Sequence, residues 1–68
     1  MKKQLLTWKN TRTQVFVRDI GGTLSCQGVI VDCDEVGFVL ECRYSNVVDY
    51  FCFPYNSVAV TTRMISNN

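Results

Sequence analysis

Hydrophobic and polar residues follow two different periods along this chain. In the first ten residues, Met1, Leu5 and Trp8 recur at helical spacing, which predicts a short helix. A helix that short is unstable alone in water, so Leu5 and Trp8 are expected to pack against the rest of the protein. From Thr13 onward, β-branched and aromatic residues recur at strand spacing, as in Gln14–Ile20. The pattern therefore predicts a helix followed by a sheet.

Turn-forming residues divide the rest of the chain into short strands. The breaks are Gly21-Gly22, the polar cluster Asp32-Cys33-Asp34-Glu35 and Ser45-Asn46. Pro54 cannot donate a backbone hydrogen bond and closes the fourth strand. Gly28, inside the second strand, indicates a bend or a bulge. The predicted strands are 14–20, 24–32, 37–44, 47–53 and 58–62.

These elements predict an all-β fold: a small five-stranded antiparallel barrel preceded by a short helix. The chain is predicted to form one domain over residues 1–68, with the helix and lead-in at 1–11, the barrel at 13–63 and a frayed tail at 64–68. SH3-like barrels and OB-folds both fit this outline, and periodicity alone does not separate them.

The fourth strand departs from alternation. Tyr50-Phe51-Cys52-Phe53 is apolar at every position, which is typical of a strand covered on both faces. A chain of 68 residues buries little surface by itself and commonly needs oligomerisation, disulfides or a metal for stability. We therefore expect a second subunit to cover this strand.

The charge and the apolar content of the chain limit the kinds of partner that it can bind. Seven Lys and Arg against six Asp and Glu give a net charge of +1, so any nucleic-acid binding must depend on local groups and not on bulk charge. The sequence shows neither a run of apolar residues long enough to span a membrane nor a secretory signal, and the expected location is cytoplasmic.

Cysteine spacing and the absence of histidine argue against metal binding and catalysis. The cysteines form no C-x-x-C pair, and we expect reduced, small hydrophobic residues at Cys26, Cys33, Cys42 and Cys52. No histidine is present to activate a nucleophile, and no phosphate-binding glycine loop occurs. Asp32 and Asp34 are explained by a turn. We predict no enzyme activity, no metal and no cofactor.

Short motifs resemble those of the Sm-like (LSm) family. The order Gly22, Gly28, Asp34, Leu40 resembles the first Sm motif, and Phe53–Val58 resembles the second. Gln27–Leu40 is similar, without a gap, to the matching segment of the Hfq-like branch of that family.

The resemblance implies a strongly bent, SH3-type barrel that assembles into a homohexameric or homoheptameric ring. In such rings, strand four of one copy pairs with strand five of the next. The implied interface residues are Tyr50, Phe51, Cys52, Phe53, Val58 and Val60.

The resemblance also implies that the ring binds single-stranded RNA, at one of two places. The pore-side turns would supply Glu35, Val36, Gly37, Tyr55 and Asn56, and the opposite face Gly22, Leu24, Ser25, Cys26 and Gln27. Hfq-like proteins carry glutamine and an aromatic residue at the positions of Glu35 and Val36, and a basic residue and histidine at those of Tyr55 and Asn56. A ring of Glu35 carboxylates would repel phosphate.

Basic residues near the N-terminus offer phosphate contacts or simply form a solvated surface: Lys2, Lys3, Lys9 and Arg12. Two functions stay open at this point. One is an RNA-binding ring, and the other is a structural or protein-interaction module of the same fold that does not bind RNA. The face that binds, the RNA preference and the ring size are left open.

Overall fold

A computed structural model describes residues 2–63 of the chain. Its order is helix α1 (Lys2–Thr11), strands β1 (Gln14–Asp19), β2 (Leu24–Cys33), β3 (Gly37–Tyr44) and β4 (Val47–Pro54), a 3-10 turn (Tyr55–Ser57) and strand β5 (Val58–Thr61). The predicted helix and the five predicted strands are confirmed, and each boundary agrees to within one residue. The predicted tail, 64–68, and Met1 lie outside the described residues.

The five strands form one antiparallel sheet in the order β4-β3-β2-β1-β5. Strands β1 to β4 pair with their neighbours in sequence, whereas β5 returns to pair with β1, placing Phe16 opposite Thr61 and Asp19 opposite Val58. The described residues leave β4 and β5 at the two edges, so the sheet is not closed by backbone pairing. The all-β, five-stranded antiparallel prediction is thus confirmed, and the sheet is open.

One face of the sheet carries the core. Alternate residues of β1, β2 and β3 are buried there together with Leu5 of α1, and the buried set is Leu5, Val15, Val17, Cys26, Ile30, Phe38, Leu40 and Cys42. Trp8 packs against this cluster, so the expected docking of the helix through Leu5 and Trp8 is confirmed. Among the described residues, no helix has the length and apolar character that crossing a membrane requires.

Gly28 does not form a bulge, which was one of the two roles predicted for it. The β2–β3 register shifts between Ile30 and Asp32, so Val31 is the extra residue. At Gly28 the two strands instead approach closely, because a Cβ atom would lie 2.1 Å from the backbone oxygen of Glu41. Gly37 allows the same approach between β3 and β4, where a Cβ atom would lie 2.2 Å from the backbone oxygen of Phe53.

The expectation that all four cysteines are reduced is wrong for two of them. Cys26 of β2 and Cys42 of β3 form a disulfide inside the core, with their Cα atoms 7.3 Å apart. Both side chains lie on the buried face of adjacent strands, where diagonal neighbours have this spacing. The spacing of the cysteines along the chain does not predict this disulfide, because the bond depends on the β2–β3 register. Cys33 and Cys52 are free thiols.

Candidate nucleic-acid interface

The turn between β2 and β3 is organised by one carboxylate. Asp34 Oδ1 accepts hydrogen bonds from the backbone N–H groups of Val36 (2.8 Å) and Gly37 (3.0 Å). The backbone N–H of Asp34 donates to the carbonyl of Gly37 at 2.9 Å, which closes the turn. The turn therefore holds Glu35 and Val36 at its tip, where both are exposed.

The 3-10 turn between β4 and β5 is hydrogen-bonded to this first turn. The Tyr55 hydroxyl donates to the Asp34 carbonyl at 2.6 Å, and the Tyr55 backbone N–H donates to the Val36 carbonyl at 3.0 Å. The structure thus brings together the five residues expected at the pore side: Glu35, Val36, Gly37, Tyr55 and Asn56.

Tyr55 is less available than the sequence indicates. Its ring stacks on Phe38, with centroids 6.1 Å apart, and its hydroxyl hydrogen is donated to Asp34. Its first role is therefore to join the two turns to the core. Asn56 is exposed, with its side-chain oxygen accepting a hydrogen bond from the Ser57 hydroxyl at 3.2 Å.

A cavity of 240 Å³ lies beside these turns, between the ends of β2, β3 and β4. Its lining is mostly apolar and includes Val36, Phe38, Phe53 and Pro54. Among the described lining residues, two are carboxylates and none is cationic. The cavity is chemically suited to an apolar group and unsuited to phosphate.

The second predicted site, on the opposite face, is only partly assembled. Gly22 adopts a left-handed conformation (φ 89°) in the β1–β2 turn, and its carbonyl accepts a hydrogen bond from Arg18 Nη1 at 3.1 Å. Ser25 and Gln27 are exposed, and Leu24 is half-buried. Cys26 is a correction: its side chain is buried in the core and bonded to Cys42, so it is not available at this face.

Gln27 belongs to a polar cavity that the sequence did not reveal. This cavity has a volume of 250 Å³ and lies across β1, β2 and β3 on the side of the sheet away from the core. We call it the outer cavity, and its lining residues are Arg12, Gln14, Gln27, Gly28, Val29, Glu41 and Arg43.

Strand register assembles the outer cavity. Gln14 pairs with Val29, Val29 with Glu41, and Glu41 with Tyr50, so these four residues form one row across four strands. Alternation in each strand indicated which side chains face outward, but only the register shows that they meet.

Arg12 reaches the outer cavity because of how α1 ends. Arg12 has a left-handed backbone conformation (φ 53°), which is common after a helix terminus. The backbone N–H of Arg12 donates to the Lys9 carbonyl at 3.2 Å, and that of Thr13 donates to the Trp8 carbonyl at 3.0 Å. This cap stops the helix beside the sheet and places Arg12 near Glu41.

Glu41 is the centre of a polar network in the outer cavity. Its side chain is only 12% exposed. Its Oε1 atom lies 3.2 Å from Arg43 Nη2 and 3.9 Å from Arg12 Nη2, and Arg43 Nε donates to it at 3.3 Å. Its Oε2 atom accepts a hydrogen bond from the Tyr50 hydroxyl at 3.2 Å. One carboxylate therefore accepts hydrogen bonds from one guanidinium group and one aromatic hydroxyl, and it forms a longer ion pair with a second guanidinium group.

The two edges of the sheet carry the residues expected at a subunit interface. On β4, Tyr50, Phe51 and Cys52 are exposed and Phe53 is half-buried, whereas on β5 both Val58 and Val60 are half-buried. Val47 and Val48 extend the exposed apolar surface along β4.

Comparison with protein-family models, with curated protein sequences and with solved structures gives no match.

Proposed function

We propose that this chain is a ring-forming, Sm-like protein that binds single-stranded RNA and has no catalytic activity. The observation that carries the proposal is the strand order, β4-β3-β2-β1-β5, which leaves one apolar edge strand at each end of the sheet. The motif resemblance described above assigns the same two strands to the contact between subunits.

Packing supports a barrel-like curvature of the open sheet. Phe53 from β4 and Val58 and Val60 from β5 pack against the same core cluster, although their strands lie at opposite edges. Side chains from both edges meet one core only if the sheet curls around it. A strongly bent sheet of this kind is what the Sm-like fold requires.

The chemistry of β4 supports ring assembly. Its backbone hydrogen-bonding groups on one side have no partner strand among the described residues, and its apolar side chains are exposed on both faces, with Tyr50 at 61% and Phe51 at 40%. Such an edge promotes uncontrolled pairing unless another strand covers it. Pairing of β4 with β5 of the next copy is a head-to-tail contact that closes into a ring when the rotation between copies permits.

Local chemistry favours RNA binding on the side of the outer cavity. Single-stranded RNA is commonly bound by aromatic rings, by amides that read base edges and by guanidinium groups. Gln27, Arg43 and Tyr50 supply these groups on the outward face. The turn side instead carries Glu35 and the carboxylates of the apolar cavity, which disfavour phosphate.

Native mass spectrometry of protein purified without nuclease tests the proposal. We expect a complex of six or seven subunits of 7.8 kDa each, with additional mass that ribonuclease removes. Phe51→Glu should prevent assembly by placing a charge on the β4 edge. Ile20→Glu is the matched control, because Ile20 is 83% exposed in the β1–β2 turn and belongs to neither edge strand, and it should leave the ring intact. A stable wild-type monomer would contradict ring formation.

A second function is favoured by two observations about charge. The net charge is only +1, and the turns expected at the pore carry an acidic residue where phosphate would pass. A ring of the same architecture that acts as a structural or protein-interaction module would have these properties. A ring that binds neither oligoadenylate nor oligouridylate at low salt would favour this alternative.

A further inference from the structure

The outer cavity holds two arginine side chains at one opening. The Arg12 and Arg43 side chains are 63% and 70% exposed, whereas the Glu41 carboxylate between them is 12% exposed. The cations therefore face solvent, and the anion that positions them lies beneath. A ligand approaching from outside meets positive charge first.

After the ion pairs with Glu41 have formed, this site still has positive charge and N–H donors that can bind an anion. Two guanidinium groups and one carboxylate give the cluster a formal charge of +1. Arg43 is held at Nε and Nη2, and Arg12 by a longer contact of 3.9 Å through Nη2 alone. Each guanidinium has five N–H donors, so both retain donors beyond those directed at Glu41. This planar, forked geometry suits phosphate oxygens.

Groups that recognise a nucleobase lie next to the arginines. Gln14 and Gln27 line the same cavity, and a primary amide can pair with the edge of adenine through one donor and one acceptor. Phe16 lies opposite Gln27 in the β1–β2 register, and Tyr50 lies opposite Glu41. The outward face therefore sets amides, aromatic rings and guanidinium groups side by side.

We infer that the outer cavity binds one nucleotide unit of single-stranded RNA, with a backbone phosphate held by Arg12 and Arg43 and the adjoining base contacting Gln14 and Gln27. This inference rests on the proposed RNA-binding function and adds the residues that carry the phosphate. Glu41 acts as a positioning residue, because it contacts both guanidinium groups and its own side chain is only 12% exposed.

Arginine substitutions test the inference. The affinity of wild type, Arg12→Ala, Arg43→Ala and Arg63→Ala for a labelled oligoadenylate is measured by fluorescence anisotropy over a series of salt concentrations. Arg63→Ala is the matched control, since it removes the same charge from an exposed residue that does not line the cavity. We expect Arg12→Ala and Arg43→Ala to weaken binding about tenfold or more. The slope of log affinity against log salt should fall by about 0.7 for each phosphate of the single strand that a variant no longer neutralises.

Arg43→Lys separates geometry from charge. The substitution keeps the positive charge but loses the planar, forked arrangement of N–H donors. We therefore expect an RNA affinity between those of wild type and Arg43→Ala, with a salt slope close to that of wild type. Far-UV circular dichroism and native mass spectrometry establish that each variant is folded and assembled. In NMR spectra, the side-chain amide signals of Gln14 and Gln27 should shift on titration with oligoadenylate and keep their positions with Arg43→Ala at the same RNA concentration.

The outcomes distinguish the inference from the proposed function. If wild type binds RNA and both cavity variants bind as tightly as Arg63→Ala, the assignment of the phosphate site is overturned and RNA binding itself stands. If wild type binds no RNA, both the assignment of the phosphate site and the proposed RNA-binding function are contradicted. Displacement of oligoadenylate by inorganic phosphate at matched ionic strength would assign the cavity to a small free anion and would also overturn the inference.

Discussion

The two turns beside the apolar cavity and the outer cavity use polar groups in opposite ways. In the turns, Asp34 caps two backbone N–H groups, and the Tyr55 hydroxyl and backbone join the turns to each other. In the outer cavity, the largely covered Glu41 carboxylate contacts two guanidinium groups that remain exposed. The first region uses its polar groups to fix the backbone, whereas the second presents them to solvent. Motif resemblance alone does not separate these uses.

The test of this comparison with the largest expected effect on stability substitutes one glycine in each region. Gly28→Ala and Gly37→Ala each place a methyl group about 2 Å from a backbone oxygen of the neighbouring strand, at 2.1 and 2.2 Å respectively. Because backbone cannot move aside as a side chain can, we expect each to lower the free energy of unfolding by about 3 kcal/mol or more. Urea unfolding followed by circular dichroism measures the change.

Gly21→Ala is the control for these two variants. A Cβ atom there meets only Asp19 Oδ1 at 3.4 Å, and Gly21 has no left-handed backbone conformation. Its free energy of unfolding should stay within about 0.5 kcal/mol of wild type. Equal stability of Gly28→Ala and Gly21→Ala would contradict the close approach of β2 and β3 under the outer cavity.

The second test removes the disulfide, which lies beneath the outer cavity and not beneath the turns. Reduction of the bond between Cys26 and Cys42, 16 residues apart, should lower the free energy of unfolding by about 2–3 kcal/mol, because the unfolded chain regains freedom. Cys26→Ser with Cys42→Ser should make stability insensitive to reductant, and Cys52→Ser, at an exposed free thiol, is the matched control. Under non-reducing conditions, a mass corresponding to four free thiols would show that the bond is absent.

The test with the smallest expected effect on stability changes the turns alone. Tyr55→Phe removes the hydroxyl that donates to the Asp34 carbonyl but keeps the ring on Phe38. We expect the free energy of unfolding to fall by about 1 kcal/mol, typical of one hydrogen bond. RNA affinity should be unchanged, since this hydroxyl is used inside the protein. A large drop in affinity at unchanged stability would place the RNA contact at the turns and reverse the comparison.

Much of the fold could be predicted because each element carries its own local signal. Leu5 and Trp8 lie at helical spacing, the strands alternate, and Gly22 and Ser45 occupy turn positions with positive φ. The roles of Gly28 and Val31 could not be assigned, because both depend on how β2 pairs with β3.

The candidate site was predictable only in part, for the same reason. The motif resemblance predicts RNA contacts at the turn residues, and it predicts Gln27 as a contact on the opposite face. However, Arg12 follows α1, Gln14 begins β1 and Arg43 lies in β3, and the helix cap together with cross-strand register makes them neighbours of Gln27. The same register joins Cys26 to Cys42. Pairwise arrangements of this kind leave no pattern in a single sequence.

The pairing of β1 with β5 has a consequence for the order of folding. Hairpins β1–β2, β2–β3 and β3–β4 join residues close in sequence, whereas Phe16 and Thr61 meet only after the whole intervening chain has been brought together. Contacts that close longer loops cost more entropy and form later. We therefore expect β5 to dock last. The β5 edge is then completed only when the rest of the chain is in place, and in the proposed ring this delay would keep half-folded copies from pairing with a neighbouring β4.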